Sequence, residues 1–238
     1  EHHDAPRLVR EWLLASGAPT TGGQPSGSAD LNVAVRRRAK ETPDAVAVFD
    51  AKEKITTTWR ELEALIVQCR GHLMNRGVGA GDRVAILAPF TARTIAFIYA
   101  CWAQGVAPVV ADPGLGIANM RRALRESRPK FVVTVRSTRI AARVLHLAHR
   151  AKRLDLTVMT QPGGQSLSDW NNIADTEIAA VLYTSGATGP AKGVVYTHGQ
   201  LRSLAAAIQQ QFSITDDDGI AAAYIPFALY GPAWGVAV

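Results

Sequence analysis

Between Tyr183 and Gly193 the chain reads Tyr-Thr-Ser-Gly-Ala-Thr-Gly-Pro-Ala-Lys-Gly. Three hydroxyls (Thr184, Ser185, Thr188), three glycines (Gly186, Gly189, Gly193) and Lys192 fall within these eleven residues. Glycine accepts positive φ at small steric cost, so successive amides of such a loop can curl into a concave anion nest. The lysine adds a point charge. A polyphosphate is the natural guest, since its many acceptor oxygens engage several donors at once. A flexible Gly/Ser surface turn is the plainer alternative. Two familiar phosphate motifs do not fit. A Walker A loop needs Gly before its Lys and Ser or Thr after it, whereas Ala191 and Gly193 flank Lys192. A dinucleotide fingerprint needs three spaced glycines, and Gly79-Ala80-Gly81 and Gly114-Leu115-Gly116 each lack the third.

Other residues offer less chemistry. His198 follows the strand after the loop and is expected to open the next helix rather than act as a base. His146 and His149 lie three apart on an expected basic helix, without a carboxylate or cysteine at ligand spacing, so no metal site is assigned. Arg36-Arg37-Arg38 and the set Arg121, Arg122, Arg125 and Arg128 read as solvated helix faces, with contact to a membrane surface or an acidic partner as the second reading. Cys69 and Cys101 are the only cysteines. Both sit in apolar stretches, which excludes a disulfide framework and fits a reducing, cytoplasmic compartment.

The elements that must hold the loop can be read from pattern. With 238 residues, 47% hydrophobic and 19% charged, the chain is too apolar for disorder and long enough for one large core or two small ones. The net charge of +6 permits an anionic ligand without pointing to nucleic acid. Residues 1–30 form a lead-in, loose over the Gly, Pro and Ser-rich stretch Ser16 to Ser28, with Leu8, Trp12 and Leu13 as a short amphipathic helix. Asp30 is expected to cap a helix through Lys40, followed by a short strand at Ala45–Phe49 and a hairpin turn over Asp50–Lys54. Thr58 and Glu61 have capping-box spacing for a helix that Gly77 ends. Alternation then follows: strands at Val84–Ala88, Val106–Val110, Phe131–Val135, Leu154–Met159 and Ile178–Tyr183; helices at Ala92–Gln104, Ile117–Ser127 and Thr138–Arg150. Asp112-Pro113-Gly114 makes a turn and Gln161–Asn172 a polar loop. The uncharged run Thr94 to Ala111 is too short and too interrupted to span a membrane and reads as helix plus buried strand. Apolar strands separated by helices imply an α/β fold with a mostly parallel sheet covered on both faces.

The loop resembles the phosphate-binding signature of the adenylate-forming superfamily, the AMP-binding, acyl-CoA synthetase-like enzymes. Ile55 to Leu62, Gly77 to Ile86 and Gly105 to Pro113 resemble other segments of that family in the same order. The resemblance implies activation of a carboxylic acid with ATP and Mg2+, releasing pyrophosphate. It assigns the β- and γ-phosphates to Thr184, Ser185, Gly186, Thr188 and Gly189, with charge from Lys192; Ala187 stands where the family commonly has a hydroxyl. It also implies that residues 31–238 are the N-terminal portion of the large domain, ending before the adenine-binding segment and a C-terminal domain. Such a portion is expected to be inactive alone, and no catalytic residue is assigned within it. Near the end, Phe227-Ala228 stands where CoA ligases carry Phe-His, which makes Phe227, Ala228 and Tyr230 candidates for the acyl pocket. Together with Gly189 to Tyr196 and Asp112 to Gly114 it resembles the β-lactone synthetases of bacterial olefin biosynthesis, in which a hydroxyl of the acid itself displaces AMP. The alternatives are a fatty acyl-CoA or acyl-AMP ligase, with CoA as acceptor in the first, a non-catalytic nucleotide-binding module, and, for the apolar residues around Tyr230, plain core packing. A small-molecule acid is the expected partner, with neither nucleic acid nor a transmembrane segment.

Overall fold

The computed structural model describes residues 30–111, 113–162, 173–184, 192–222 and 225–238. The N-terminal lead-in, most of the polar loop after Gln161, and residues 185–191 of the glycine-rich loop lie outside them. The first helix, α1, spans Val33–Glu41 and packs on α2 (Trp59–Asn75). Asp30 does not cap it. Its carboxylate accepts instead from the Asn32 amide at 3.2 Å and the Asn32 Nδ2 at 3.0 Å, which moves the helix entry to Asn32. A two-stranded antiparallel sheet follows, β1 (Val46–Asp50) and β2 (Ile55–Thr58), turning over residues 51–54 as expected. Val238 joins the free edge of β1: its amide donates to the Ala47 carbonyl at 3.0 Å and its carbonyl accepts from Phe49 at 2.6 Å. The α2 helix begins with the full Thr58/Glu61 capping box, and Gly77 adopts φ 66° just beyond its end.

The main sheet holds six strands in the order β6-β5-β3-β4-β7-β8. These are β3 (Arg83–Leu87), β4 (Ala107–Ala111), β5 (Phe131–Thr134), β6 (Lys152–Asp155), β7 (Ile178–Thr184) and β8 (Lys192–Thr197). All neighbours are parallel except β7 and β8. The period-2 side-chain alternation sorts the two faces. Val84, Ile86, Phe131 and Val133 pack toward α2 and α3 (Ala92–Ala103) in the largest core cluster. Ala85 and Val132 face the other way, against α4 (Gly116–Ser127) and α5 (Arg136–Val144). The expected α/β fold, a mostly parallel sheet with helices on both faces, is what the chain adopts.

The run Thr94 to Ala111 divides into α3 and β4, as its interruption at Gln104-Gly105 requires. Trp102, on α3, donates its indole N–H to the Ala179 carbonyl at 2.9 Å, tying that helix to β7. Two further expectations fail. The helix expected to reach Arg150 stops at Val144, because the chain turns there, with His146 and Ala148 both at positive φ, to lay β6 beside β5. His146 and His149 therefore do not share a helix. The strand expected at Leu154–Met159 is β6 followed by one helical turn, α6 (Leu156–Met159), which Asp155 caps by accepting from the Thr157 amide at 3.0 Å. Among the described residues no helix is long and apolar enough to cross a membrane.

Candidate functional site

The connection from β3 through α3 leads to β4 on one side, and that from β4 through α4 leads back to β5 on the other. The switch point therefore lies between β3 and β4, and open α/β sheets take ligands outside the carboxyl ends of their strands at such a point. A cleft of about 370 Å³ opens there, lined by Ile86, Ala88, Phe90, Val110, Met120, Ala141 and neighbours of the same kind. The only side-chain hydroxyl on its wall, that of Thr138, is already engaged with the Val135 amide and carbonyl. Its lining thus suits an aliphatic guest. Sequence reading missed this cleft because its walls come from five separated segments, and no local spacing announces it.

The glycine-rich loop lies one strand further along the same edge, since Ala111 at the end of β4 is in register with Tyr183 of β7. Its two ends are held together: Thr184, the last residue of β7, pairs with Lys192, the first of β8. Lys192 is exposed. Ser185, Gly186, Ala187, Thr188 and Gly189 lie outside the described residues, as does the side chain of Thr184. Just below the loop, Gly193 faces the Tyr183 ring so closely that a Cβ there would sit 2.7 Å from Cζ. Tyr183 is buried among Val109, Leu115, Ala123 and Val181, and burial pushes its phenol up. The ring is thereby fixed against β8, next to the paired ends of the loop.

After β8, α7 (His198–Gln211) opens with Thr197 and Gln200 as a reciprocal capping box. The His198 and Gly199 amides donate to the carbonyls of Glu177 and Asp175 at 2.9 and 3.0 Å. The N-terminal amides of this helix are thus engaged internally. His198 does open the helix, as expected, but it is also buried, and its Nε2 has no hydrogen-bond partner. Burial pulls its imidazole below the ordinary range, while Asp30 and Glu177 act in the opposite direction.

The last helix, α8 (Ile225–Trp234), carries the three acyl-pocket candidates. Nothing of the Phe227 side chain is described. Ala228 is buried in the largest cluster. Tyr230 is buried beside Ala205 and Val236, stacked on Trp234 with ring centroids 5.5 Å apart. The helix is anchored to α3 by the Tyr99 hydroxyl, which donates to the Leu229 carbonyl at 2.5 Å. Neither Ala228 nor Tyr230 lines the switch-point cleft. Arg37 does not behave as a solvated residue. It grips Asp216 through both terminal guanidinium nitrogens, Nη1 donating to Oδ2 and Nη2 to Oδ1 at 2.8 Å, and so ties α1 to the segment after α7. Cys69 and Cys101 are both free and fully buried, and burial pushes both thiols up. Among the described residues no group of three or more His, Cys, Asp or Glu is placed to hold a metal ion.

Such a layout belongs to α/β domains that work at the carboxyl edge of the sheet, with a glycine-rich loop beside the switch point. The chain belongs to the AMP-binding enzyme family, whose profile it matches over residues 35–236. It is similar to the olefin beta-lactone synthetase of Xanthomonas campestris pv. campestris, 27% identical over an alignment of 232 residues, covering 87% of this chain and 41% of the relative. It is also similar to the p-hydroxybenzoic acid–AMP ligase FadD22 of Mycobacterium tuberculosis, 30% identical over 161 residues, covering 67% of this chain and 22% of that protein. Among solved structures, O-succinylbenzoate coenzyme A synthetase from Bacillus subtilis, in complex with ATP and magnesium ion, superposes with a TM-score of 0.72 at 24% identity, over 86% of this chain and 43% of that one. The chain thus spans about two fifths of the length of the olefin beta-lactone synthetase it matches.

Proposed function

We propose that this chain supplies the triphosphate-holding part of an enzyme that activates a carboxylic acid as its adenylate. The observation that carries the reading is the loop at residues 184–192, with its ends paired on β7 and β8 at the carboxyl edge of the sheet and Lys192 exposed beside it. The residues fit the guest. Thr184, Ser185, Gly186, Thr188 and Gly189 supply backbone and hydroxyl donors for the β- and γ-phosphates, Ala187 contributes its amide, and the Lys192 ammonium adds charge. In the reaction a carboxylate oxygen of the acid attacks the α-phosphorus of ATP, the bond to the β-phosphate oxygen breaks, and pyrophosphate departs. The loop's part is to hold that departing group where its negative charge accumulates. Mg2+ would travel with the triphosphate, whose own oxygens supply most of its ligands.

In this reading residues 31–238 form the N-terminal portion of the adenylating domain, residues 1–30 a lead-in, and the remaining catalytic groups come from outside these segments. The acid is a fatty or β-hydroxy fatty acid, a choice that rests on the similarity to olefin beta-lactone synthetases and on Ala228 at the position where CoA ligases carry His. In that case a hydroxyl of the acid, rather than CoA, displaces AMP. The similarity to an acid–AMP ligase supports the second reading, an acyl-AMP ligase. Free thiols at Cys69 and Cys101 agree with a cytoplasmic location.

The test is calorimetric titration of the 238-residue chain with MgATP and with inorganic tripolyphosphate. Saturable binding of both, weakening with salt and falling about tenfold in Lys192→Ala, is expected from the loss of one charge-assisted contact. No polyphosphate binding, or affinity indifferent to Lys192, overturns the assignment. Pyrophosphate exchange by the chain alone should be absent; robust turnover would show that these segments already hold the whole active site.

A further inference from the structure

The chain's positive charge is not spread over it. Residues 116–155 contain eleven basic and two acidic residues, a net +9, whereas the rest of the chain, with fifteen basic and eighteen acidic residues, is at −3. This stretch supplies β5, β6 and the two helices of one layer: α4 and α5 lie side by side on the same face of the sheet, joined by Leu124, Ala142 and Leu147 and by the Arg121 Nε donating to the Leu145 carbonyl at 2.8 Å. Arg121, Arg125, Arg128, Arg136, Arg139 and Arg143 are all exposed on it. In the midst of these charges, Ile140 and Val144 are 66% and 67% exposed, more than any other large aliphatic side chain among the described residues. They stand four residues apart on α5, and so on one stripe of the helix, continuing the line from Arg136.

We propose that the α4–α5 layer is a docking surface for an anionic phospholipid bilayer, with Ile140 and Val144 entering the headgroup–acyl boundary and the arginines pairing with lipid phosphates. Charge complementarity selects the occupant. A second copy of this face would be repelled by its own exposed arginines. Nucleic acid finds no stacking platform, since the stretch has one aromatic residue, Phe131, and it is buried. Exposed aliphatics flanked by arginine on one helical stripe are what an interfacial helix uses. The switch-point cleft opens against the same layer through Met120 and Ala141, so a docked bilayer would lie next to an apolar opening. The surface is independent of the phosphate loop, and its failure would leave that assignment untouched.

The experiment is sedimentation of the chain with vesicles of phosphatidylcholine alone or with about 30% phosphatidylglycerol, at about 0.1 M salt. Binding to the anionic vesicles only, reversed by salt, is expected. Arg136→Gln with Arg143→Gln should weaken it roughly thirtyfold, at about one kilocalorie per mole for each arginine near the surface. Ile140→Ser with Val144→Ser should weaken it about tenfold or more. All four positions are exposed, and an unchanged thermal midpoint confirms that the variants fold. Equal binding to both vesicle types, indifference to either pair of substitutions, or capture of duplex DNA in place of vesicles overturns the proposal.

Discussion

Gly193→Ala isolates the contact between β8 and the Tyr183 ring, next to the proposed phosphate loop. The added Cβ would lie 2.7, 2.9 and 3.0 Å from Cζ, Cε1 and Oη of Tyr183, well inside the usual 3.5–4 Å or so of carbon–carbon contact. Something must move. The ring is the poorer candidate, since it is only 6% exposed and wedged among Val109, Leu115, Ala123 and Val181. The strand would have to give instead, and β8 is held by the register from Ile178↔Thr197 to Thr184↔Lys192. Overpacking of this kind costs about 1–3 kcal/mol, or a fall in midpoint of very roughly 2–12 °C for a chain of this size. A double-mutant cycle gives the sharper reading. In a Tyr183→Ala background the clash is gone, and Gly193→Ala should be neutral or stabilise by about 0.5–1 kcal/mol, because glycine is a poor strand residue. Coupling of about 1.5 kcal/mol or more between the two sites, from urea denaturation of the four variants, is therefore expected. An equal effect of Gly193→Ala in both backgrounds refutes the role given to the ring. Tripolyphosphate affinity should fall along with stability in the single variant, because Gly193 adjoins Lys192 at the loop's end.

Three further outcomes follow from the geometry. Thr58→Ala removes the hydroxyl that accepts from the Glu61 amide at 3.3 Å and should cost about 1 kcal/mol in a denaturation midpoint; Thr58→Ser should restore most of it. His198 is held neutral by burial, so the unfolded chain protonates it first as pH falls below about 6.5. Stability at this residue is full above that value and declines toward the lower folded one, by at most about 1.4 kcal/mol per pH unit; denaturation curves should lose part of that slope in His198→Gln. Arg37 draws the Asp216 carboxyl below its ordinary value, chiefly through their hydrogen bonds. The pair's contribution is therefore present above the unfolded value and lost as pH falls through the folded one. Both side chains are 38% exposed, so Asp216→Asn should cost less than about 1 kcal/mol, and about 1 M salt should shrink that difference.

What the sequence disclosed is what local chemistry controls. The Thr58/Glu61 box, the end of α2 at Gly77 and the division of residues 94–111 into α3 and β4 each depend on groups close in sequence, and each formed where its pattern placed it. The errors have a common cause. Leu154, Leu156 and Val158 alternate as a strand does, yet only residues 152–155 find a partner in β5, and Asp155 caps a turn instead. The expected helix to Arg150 had no local stop signal; the return of the chain to the sheet edge ended it, at the expense of positive φ at His146 and Ala148. Likewise Arg37 read as solvated because its partner, Asp216, lies 179 residues away.

The same distinction separates the two parts of the site. The proposed phosphate nest rests on consecutive amides, so one short segment declares it, and the fold need only bring Thr184 and Lys192 together. An apolar cleft is made by whatever five separated segments leave between them, here the ends of β3 and β4, Ile98 of α3 and residues of α4 and of α5 with the turn after it. A substrate that is charged at one end and aliphatic at the other needs both kinds of surface on one edge of the sheet. Shortening the cleft's reach by Ala141→Phe, which adds bulk at its rim, therefore separates two uses of it. If the cleft takes an aliphatic chain, a fluorescent long-chain acid should bind the chain less tightly in the variant, while tripolyphosphate affinity stays unchanged. If affinity for the acid is untouched, the cleft is not where that tail goes, and the phosphate loop stands without it.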